Sequence, residues 1–99
     1  MSIDCPVGGP YNIIQYSMLL SMLAHVSDMD VGEFIWSLGD AHIYSDQMEL
    51  VPTQLSRKPL PLPKLWLNPE VKNLFDFTMD DIKIVDYHSY EAINYPVSV

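Results

Sequence analysis

Between Ile13 and Val26 every position is apolar except Gln15, Ser17, Ser21 and His25. Ser17, Ser21 and His25 recur four residues apart, which on a helix is one narrow polar stripe on an otherwise apolar cylinder. Such a helix packs on several sides, and in so short a chain that predicts surface meant for a partner. Gly8-Gly9-Pro10 upstream reads as a turn, with Asn12 as N-cap of a helix running from about Ile13 to Val26. Ser27 to Gly32 then turns the chain. A membrane span needs about 20 continuous apolar residues, so this interrupted run is a buried helix and not an anchor.

Glu33 to Tyr44 predicts a long strand. Its even face carries Phe34, Trp36, Leu38 and then Asp40, His42 and Tyr44, while its odd face holds Ile35, Ala41 and Ile43. Apolar residues on both faces predict cover on both sides. Asp46-Gln47-Met48-Glu49 resembles a capping box for a helix reaching about Leu55, which Pro52 should kink or shorten. Pro59, Pro61 and Pro63 predict an extended, polyproline-like connector. Lys64 to Leu67 predicts a short strand, Asn68-Pro69-Glu70 a turn, and Thr78-Met79-Asp80-Asp81 a capped helical turn. Ile82 to Tyr87 predicts a further strand, and the apolar tail from Ile93 to Val99 should dock. The pattern is that of one α+β domain over residues 1–99: a long buried helix on a mixed β-sheet, with short helices and a Pro-rich connector. No repeat or linker interrupts it.

At 99 residues, 48% hydrophobic and 18% charged, the chain is too apolar for disorder. A chain of this length buries roughly 65% of its unfolded surface. Met1 to Gly9 lacks the basic and apolar segments of a signal peptide. One cysteine permits no internal disulfide and fits a reducing compartment, by default the cytoplasm. The net charge of −8 is uneven. Arg57, Lys58, Lys64, Lys72 and Lys83 all lie in the second half, so nucleic-acid binding, which needs clustered cations, is disfavoured. Any phosphate held by the acidic first half needs arginines from elsewhere.

Asp40, His42 and Tyr44 on one strand face suit three uses: a core cluster, a hydroxyl-binding edge or a catalytic relay. Imidazole beside phenol offers a donor and an acceptor for a sugar hydroxyl. Asn12 is either a cap or an amide that reads the edge of a uracil ring; a cytosine edge would favour a carboxylate there. Cys5 is a candidate nucleophile with no basic neighbour to favour its thiolate. His25, His42 and His88 show no metal-ligand spacing. Ser2 lacks a nucleophile elbow, and Gly8-Gly9-Pro10 lacks the spacing of a phosphate loop.

Val7-Gly8-Gly9-Pro10-Tyr11-Asn12, Gly32-Glu33-Phe34, Gly39-Asp40-Ala41-His42-Ile43-Tyr44, Leu55-Ser56-Arg57-Lys58-Pro59, Pro63-Lys64-Leu65, Phe75-Asp76-Phe77 and Tyr95-Pro96-Val97-Ser98-Val99 together resemble thymidylate synthase, in that family's order and spacing. The resemblance covers essentially the whole chain, which would correspond to the last third or so of such an enzyme. It implies methylation of dUMP to dTMP, with 5,10-methylenetetrahydrofolate as carbon donor and reductant and no metal. Ser2, Asn12, His42 and Tyr44 would bind dUMP, through phosphate, uracil edge and deoxyribose hydroxyl. Asp4, Gly8, Val97, Ser98 and Val99 would lie on the folate side, the tail acting as a lid. Tyr11 and Asp40 would support them. Asn12 rather than Asp favours uracil over the related cytosine hydroxymethylases. The family works as a homodimer whose arginines reach the partner's phosphate.

There are departures from the family pattern. The nucleophilic cysteine would belong to a segment upstream of residue 1, and Met1 stands in the place of a phosphate-binding arginine. Tyr90-Glu91 replaces a His-Pro pair after Tyr87, and Ser98 a small apolar residue. Without the thiolate no attack on uracil C6 occurs, so no activity is expected from this chain alone. Three readings follow: a synthase portion completed by an N-terminal part; a non-catalytic truncated paralogue that pairs with an intact synthase; or a decayed copy without ligand.

Overall fold

In the computed structural model, which describes residues 2–97, two short ribbons flank one long helix. The order is β1 (Ser2–Asp4), α1 (Gly8–Val26), β2 (Asp40–His42), a 3-10 turn at Ser45–Gln47 and α2 (Val51–Ser56). It continues with β3 (Lys64–Leu67), 3-10 turns at Leu74–Asp76 and Met79–Asp81, and β4 (Ile82–Val85). The α+β class holds. Among the described residues, however, the strands form two separate ribbons and not one mixed sheet.

Helix α1 begins at Gly8, four residues before Asn12, so Asn12 is not its cap. Gly8-Gly9-Pro10 is its first turn. A proline is tolerated there because the first four N–H groups of a helix have no intrahelical acceptor to lose. The C-terminus closes as a Schellman motif: Asp28 takes a left-handed φ of 55°, its N–H donates to His25 O, and Met29 N–H donates to Ala24 O at 2.9 Å. The polar stripe is used internally. Ser21 Oγ donates to Ser17 O, and His25 Nε2 donates to Val71 O at 3.0 Å.

The expected strand over 33–44 is realised only at Asp40–His42, which pairs in parallel with β1. Residues 33–38 have no regular backbone pairing among the described residues. Strand geometry persists only where a neighbour accepts the ladder. The second ribbon matches its sequence well. β3 and β4 pair antiparallel with Leu65 opposite Ile84, and Asp81 closes the end, accepting from the Asn68 side chain and from Thr78 N–H and Oγ1, each at 2.9 Å. Pro52 falls in the first turn of α2 and so opens that helix without kinking it.

The core is small. Ile3 is 3% exposed, Gly9 is buried and Gln47 is 0% exposed. A Cβ at Gly9 would lie 3.6 Å from the Trp36 ring, so α1 packs closely on the 33–38 segment there. Helix α1 is not buried within this chain: Tyr11, Ile14, Tyr16, Leu19 and Leu23 are exposed. The accessible surface is 7875 Å². A self-contained monomer of this mass exposes about 5,700 Å². About half of the unfolded surface is therefore buried, less than the expected two-thirds. The radius of gyration of 16.3 Å agrees, against about 13 Å for a compact domain of this length.

Candidate functional site

Asp40, His42 and Tyr44 fall together. His42 Nδ1 lies 3.6 Å from Asp40 Oδ1, longer than a hydrogen bond but within ion-pair reach when the ring is protonated. The His42 and Tyr44 rings meet edge to face, 5.0 Å between centroids at 75°. Asp40 is largely in solvent, while the His42 side chain is 29% exposed. Among the described residues the His42 side chain makes no hydrogen bond: Nδ1 faces the Asp40 carboxylate and Nε2 has no protein partner.

The parallel register sets Asp4 beside His42, and Cys5 N–H donates to His42 O at 2.9 Å. Two chemistries thereby converge at one ribbon end, a carboxylate from β1 and an imidazole from β2. Asp4 Oδ2 accepts from Gln47 Nε2 at 3.1 Å, while Asp4 Oδ1 is buried with no donor among the described residues. Gln47 also accepts from Tyr44 N–H at 3.0 Å and donates to Pro96 O at 2.9 Å. The expected cap over Asp46–Glu49 is thus replaced. Ser45–Gln47 is a 3-10 turn, Met48 to Leu50 turns again, and Gln47 points inward, not along a helix start. Sequence reasoning passed over Gln47, because nothing local signals that a residue 49 positions later covers it.

Asn12 sits one turn into α1, half-buried, with no side-chain hydrogen bond among the described residues. Ser2 is exposed on β1. Tyr11, 71% exposed, lines an open cleft of about 430 Å³ with Pro6, Val7, Pro10, Ile14 and Tyr95, a volume within the ~300–1,000 Å³ range of small-molecule sites. At Gly8 a Cβ would meet only Ile3 Cγ1, at 3.8 Å, so the chain's own packing does not require glycine there. Val97 is exposed; the expectations on Ser98 and Val99 lie outside the described residues. Cys5 carries a free thiol in a pocket of about 170 Å³ with Pro6, Ile43, Val51, Leu55 and Tyr95, and no base or cation lines it.

The C-terminal stretch straps back over α2. Tyr95 Oη donates to Gln54 Oε1 at 2.7 Å, Arg57 donates to Glu91 O and stacks on Tyr90, and Tyr90 Oη donates to Lys58 O. The Tyr90-Glu91 departure is thereby accommodated by the connector it faces. Among the described residues no group of three His, Cys, Asp or Glu side chains could hold a metal. No described helix is long and apolar enough to cross a membrane.

Comparison with known proteins gives one answer. The family model described as thymidylate synthase matches residues 1–99. The chain is 57% identical over 96 residues to a thymidylate synthase of Leuconostoc mesenteroides, covering 97% of this chain and 30% of that protein. It is 52% identical over 96 residues to one from Mycoplasma mobile, covering 97% and 33%. The solved thermostable thymidylate synthase A from Bacillus subtilis superposes with a TM-score of 0.94 at 38% identity, over 99% of this chain and 35% of that one. The chain spans about a third of the length of each.

Proposed function

The chain belongs to the thymidylate synthase family and has its fold, and from that premise we propose that it forms the dUMP- and folate-gripping part of such an enzyme. In this reading Asn12 reads the uracil edge, His42 and Tyr44 hold the deoxyribose hydroxyl, and Ser2 contacts the phosphate. Asp40 steadies His42 from the Nδ1 side. Asp4, Gly8 and Val97 to Val99 lie on the folate side, with Tyr11 walling the cleft. The observation that supports this reading is the register of β1 on β2, which sets the Asp4 carboxylate beside the His42 imidazole.

The residues suit a reduced folate. Asp4 Oδ1 is a buried acceptor with no donor among the described residues, an arrangement costing about 1–3 kcal/mol until an N–H meets it. A pterin ring carries such N–H groups. Methylenetetrahydrofolate, when bound, supplies the one-carbon unit and the reducing equivalents. This chain's part is to orient the two substrates and, through its tail, exclude water. Thiolate attack and the phosphate-binding arginines come from polypeptide outside these 99 residues, and Cys5 in its apolar pocket is no substitute. The exposed flank of α1 is the surface such polypeptide would cover, in a homodimer within a reducing compartment such as the cytoplasm.

The test is reconstitution. The chain mixed with, or joined to, the N-terminal part of a family member should form dTMP from dUMP and methylenetetrahydrofolate, and neither part should do so alone. Absence of both turnover and dUMP binding in every pairing would overturn the reading. The unburied surface also favours a second one, a non-catalytic partner of an intact synthase. Co-purification with an intact synthase, together with calorimetry showing no dUMP binding, would select it.

A further inference from the structure

Among the described residues, the Gln47 side chain joins the end of β1, the segment after β2 and the tail. Both amide hydrogens are used and the oxygen accepts once: Oε1 accepts from Tyr44 N–H, and the two Nε2 hydrogens go to Asp4 Oδ2 and Pro96 O, at 3.1 and 2.9 Å. The partners lie 3, 43 and 49 residues away in sequence, and Gln47 itself is 0% exposed. Gln47 is sealed from solvent whereas Asp4 is half-buried and Pro96 exposed, so removal of the amide takes from the Asp4 carboxylate its one side-chain donor among the described residues and frees Pro96 O to water. With Oδ2 held by the amide, rotation of the Asp4 carboxylate is restrained while Oδ1 stays free to accept from a ligand.

We infer that Gln47 is a positioning residue: it holds the tail at Pro96 against the Asp4 carboxylate, so that lid closure and folate orientation are set by one amide. This rests on the reading of Asp4 and the tail as the folate side. It does not concern the bond-making step, because Gln47 touches no substrate in it.

Two substitutions separate the clamp from a local turn-stabilising role. Gln47→Met removes all three bonds at nearly constant volume. Gln47→Glu keeps the acceptor for Tyr44 N–H and replaces both donors by a carboxylate facing Asp4 and Pro96 O. The clamp expects both variants to speed exchange of the Tyr95 amide, which donates to Ile93 O beside the Pro96 contact, about tenfold, with β3–β4 exchange unchanged. A turn-stabilising role expects Gln47→Glu to exchange like the parent, and that result overturns the inference. In the reconstituted synthase both variants should raise the KM for methylenetetrahydrofolate about tenfold and leave the KM for dUMP within twofold; equal rises in both constants overturn it.

Deleting residues 95–99 tests the same contact in the unsubstituted site. The Gln47 side-chain amide protons should exchange slowly in the full chain and fast after deletion. Fast exchange in both overturns the clamp even where the Gln47 variants fail to fold. If the unsubstituted assembly forms no dTMP, the functional reading fails, and the exchange experiments still decide the clamp.

Discussion

The two ribbons are built on opposite terms. β3–β4 closes within 22 residues, and its connection supplies its own caps: the Asn68 and Asn73 side chains each accept from a backbone N–H two residues on, and Asp81 ties both ends. β1–β2 joins residues nearly forty apart, through a helix whose outer flank stays uncovered. Every described residue of the proposed dUMP- and folate-binding set lies on or beside the second kind of structure. Local contacts can complete a hairpin, whereas a parallel pair must close a long loop first and needs cover on both faces. The region proposed to bind the substrates is therefore the one least able to stand on its own chain.

This contrast can be broken experimentally, and the largest effect is expected at its root. Ile3→Ala removes the most buried apolar side chain and should cost about 2–5 kcal/mol in chemical denaturation. Ile84→Ala, on the exposed hairpin, should cost under about 1 kcal/mol. Equal costs would mean that the parallel ribbon is not anchored where its burial suggests. Next in size, His42→Ala in the reconstituted assembly should weaken dUMP binding about ten- to a hundredfold by calorimetry, from the loss of one or two hydrogen bonds in a half-buried site. Folate binding should change little.

A smaller effect separates ligand from packing. Gly8→Ala meets only ordinary contact with Ile3, so stability should stay within about 1 kcal/mol. If folate approaches this backbone, its affinity should still fall about tenfold. Unchanged folate affinity would remove Gly8 from the site.

The smallest effect belongs to the hairpin. The Asn68 side-chain donor, then Thr78 N–H and hydroxyl, hold the Asp81 carboxyl below its ordinary value of 3.8 against a slight opposing effect of burial. A carboxyl lowered on folding contributes stability above the unfolded value, and loses it as pH falls through the lowered one. The parent's thermal midpoint should drop more than that of Asp81→Asn between roughly pH 5 and pH 2, by a margin kept small by solvent. Identical curves would show that the Asp81 cap contributes nothing.

Legibility in the sequence divides along the same line as the ribbons. Lys64–Leu67, the Asn68 turn, the Thr78 cap and the strand from Ile82 are read from residues within a few positions of one another, and the structure agrees. The grouping of Asp40, His42 and Tyr44 was also readable, because alternation along an extended backbone needs no partner to be stated. The start of α1 was misread: Gly-Gly-Pro signals a turn in isolation, yet serves as a first helical turn when the preceding strand delivers the chain there. The strand expected over residues 33–44 was overextended, since its apolar alternation says what a strand would bury and not whether a ladder neighbour exists.

The body of α1 to Val26, the polar stripe ending in His25, the strands at Lys64–Leu67 and from Ile82, and the shared face of Asp40, His42 and Tyr44 follow from the order of residues alone. They depend on spacing within one element, where geometry is fixed by the backbone repeat. Which carboxylate stands beside His42, why Gln47 is sealed from water and where the tail lies came only from the folded chain. Those facts join residues 38 to 49 positions apart. Such contacts are chosen by loop closure and burial acting on the whole molecule, which no local pattern encodes.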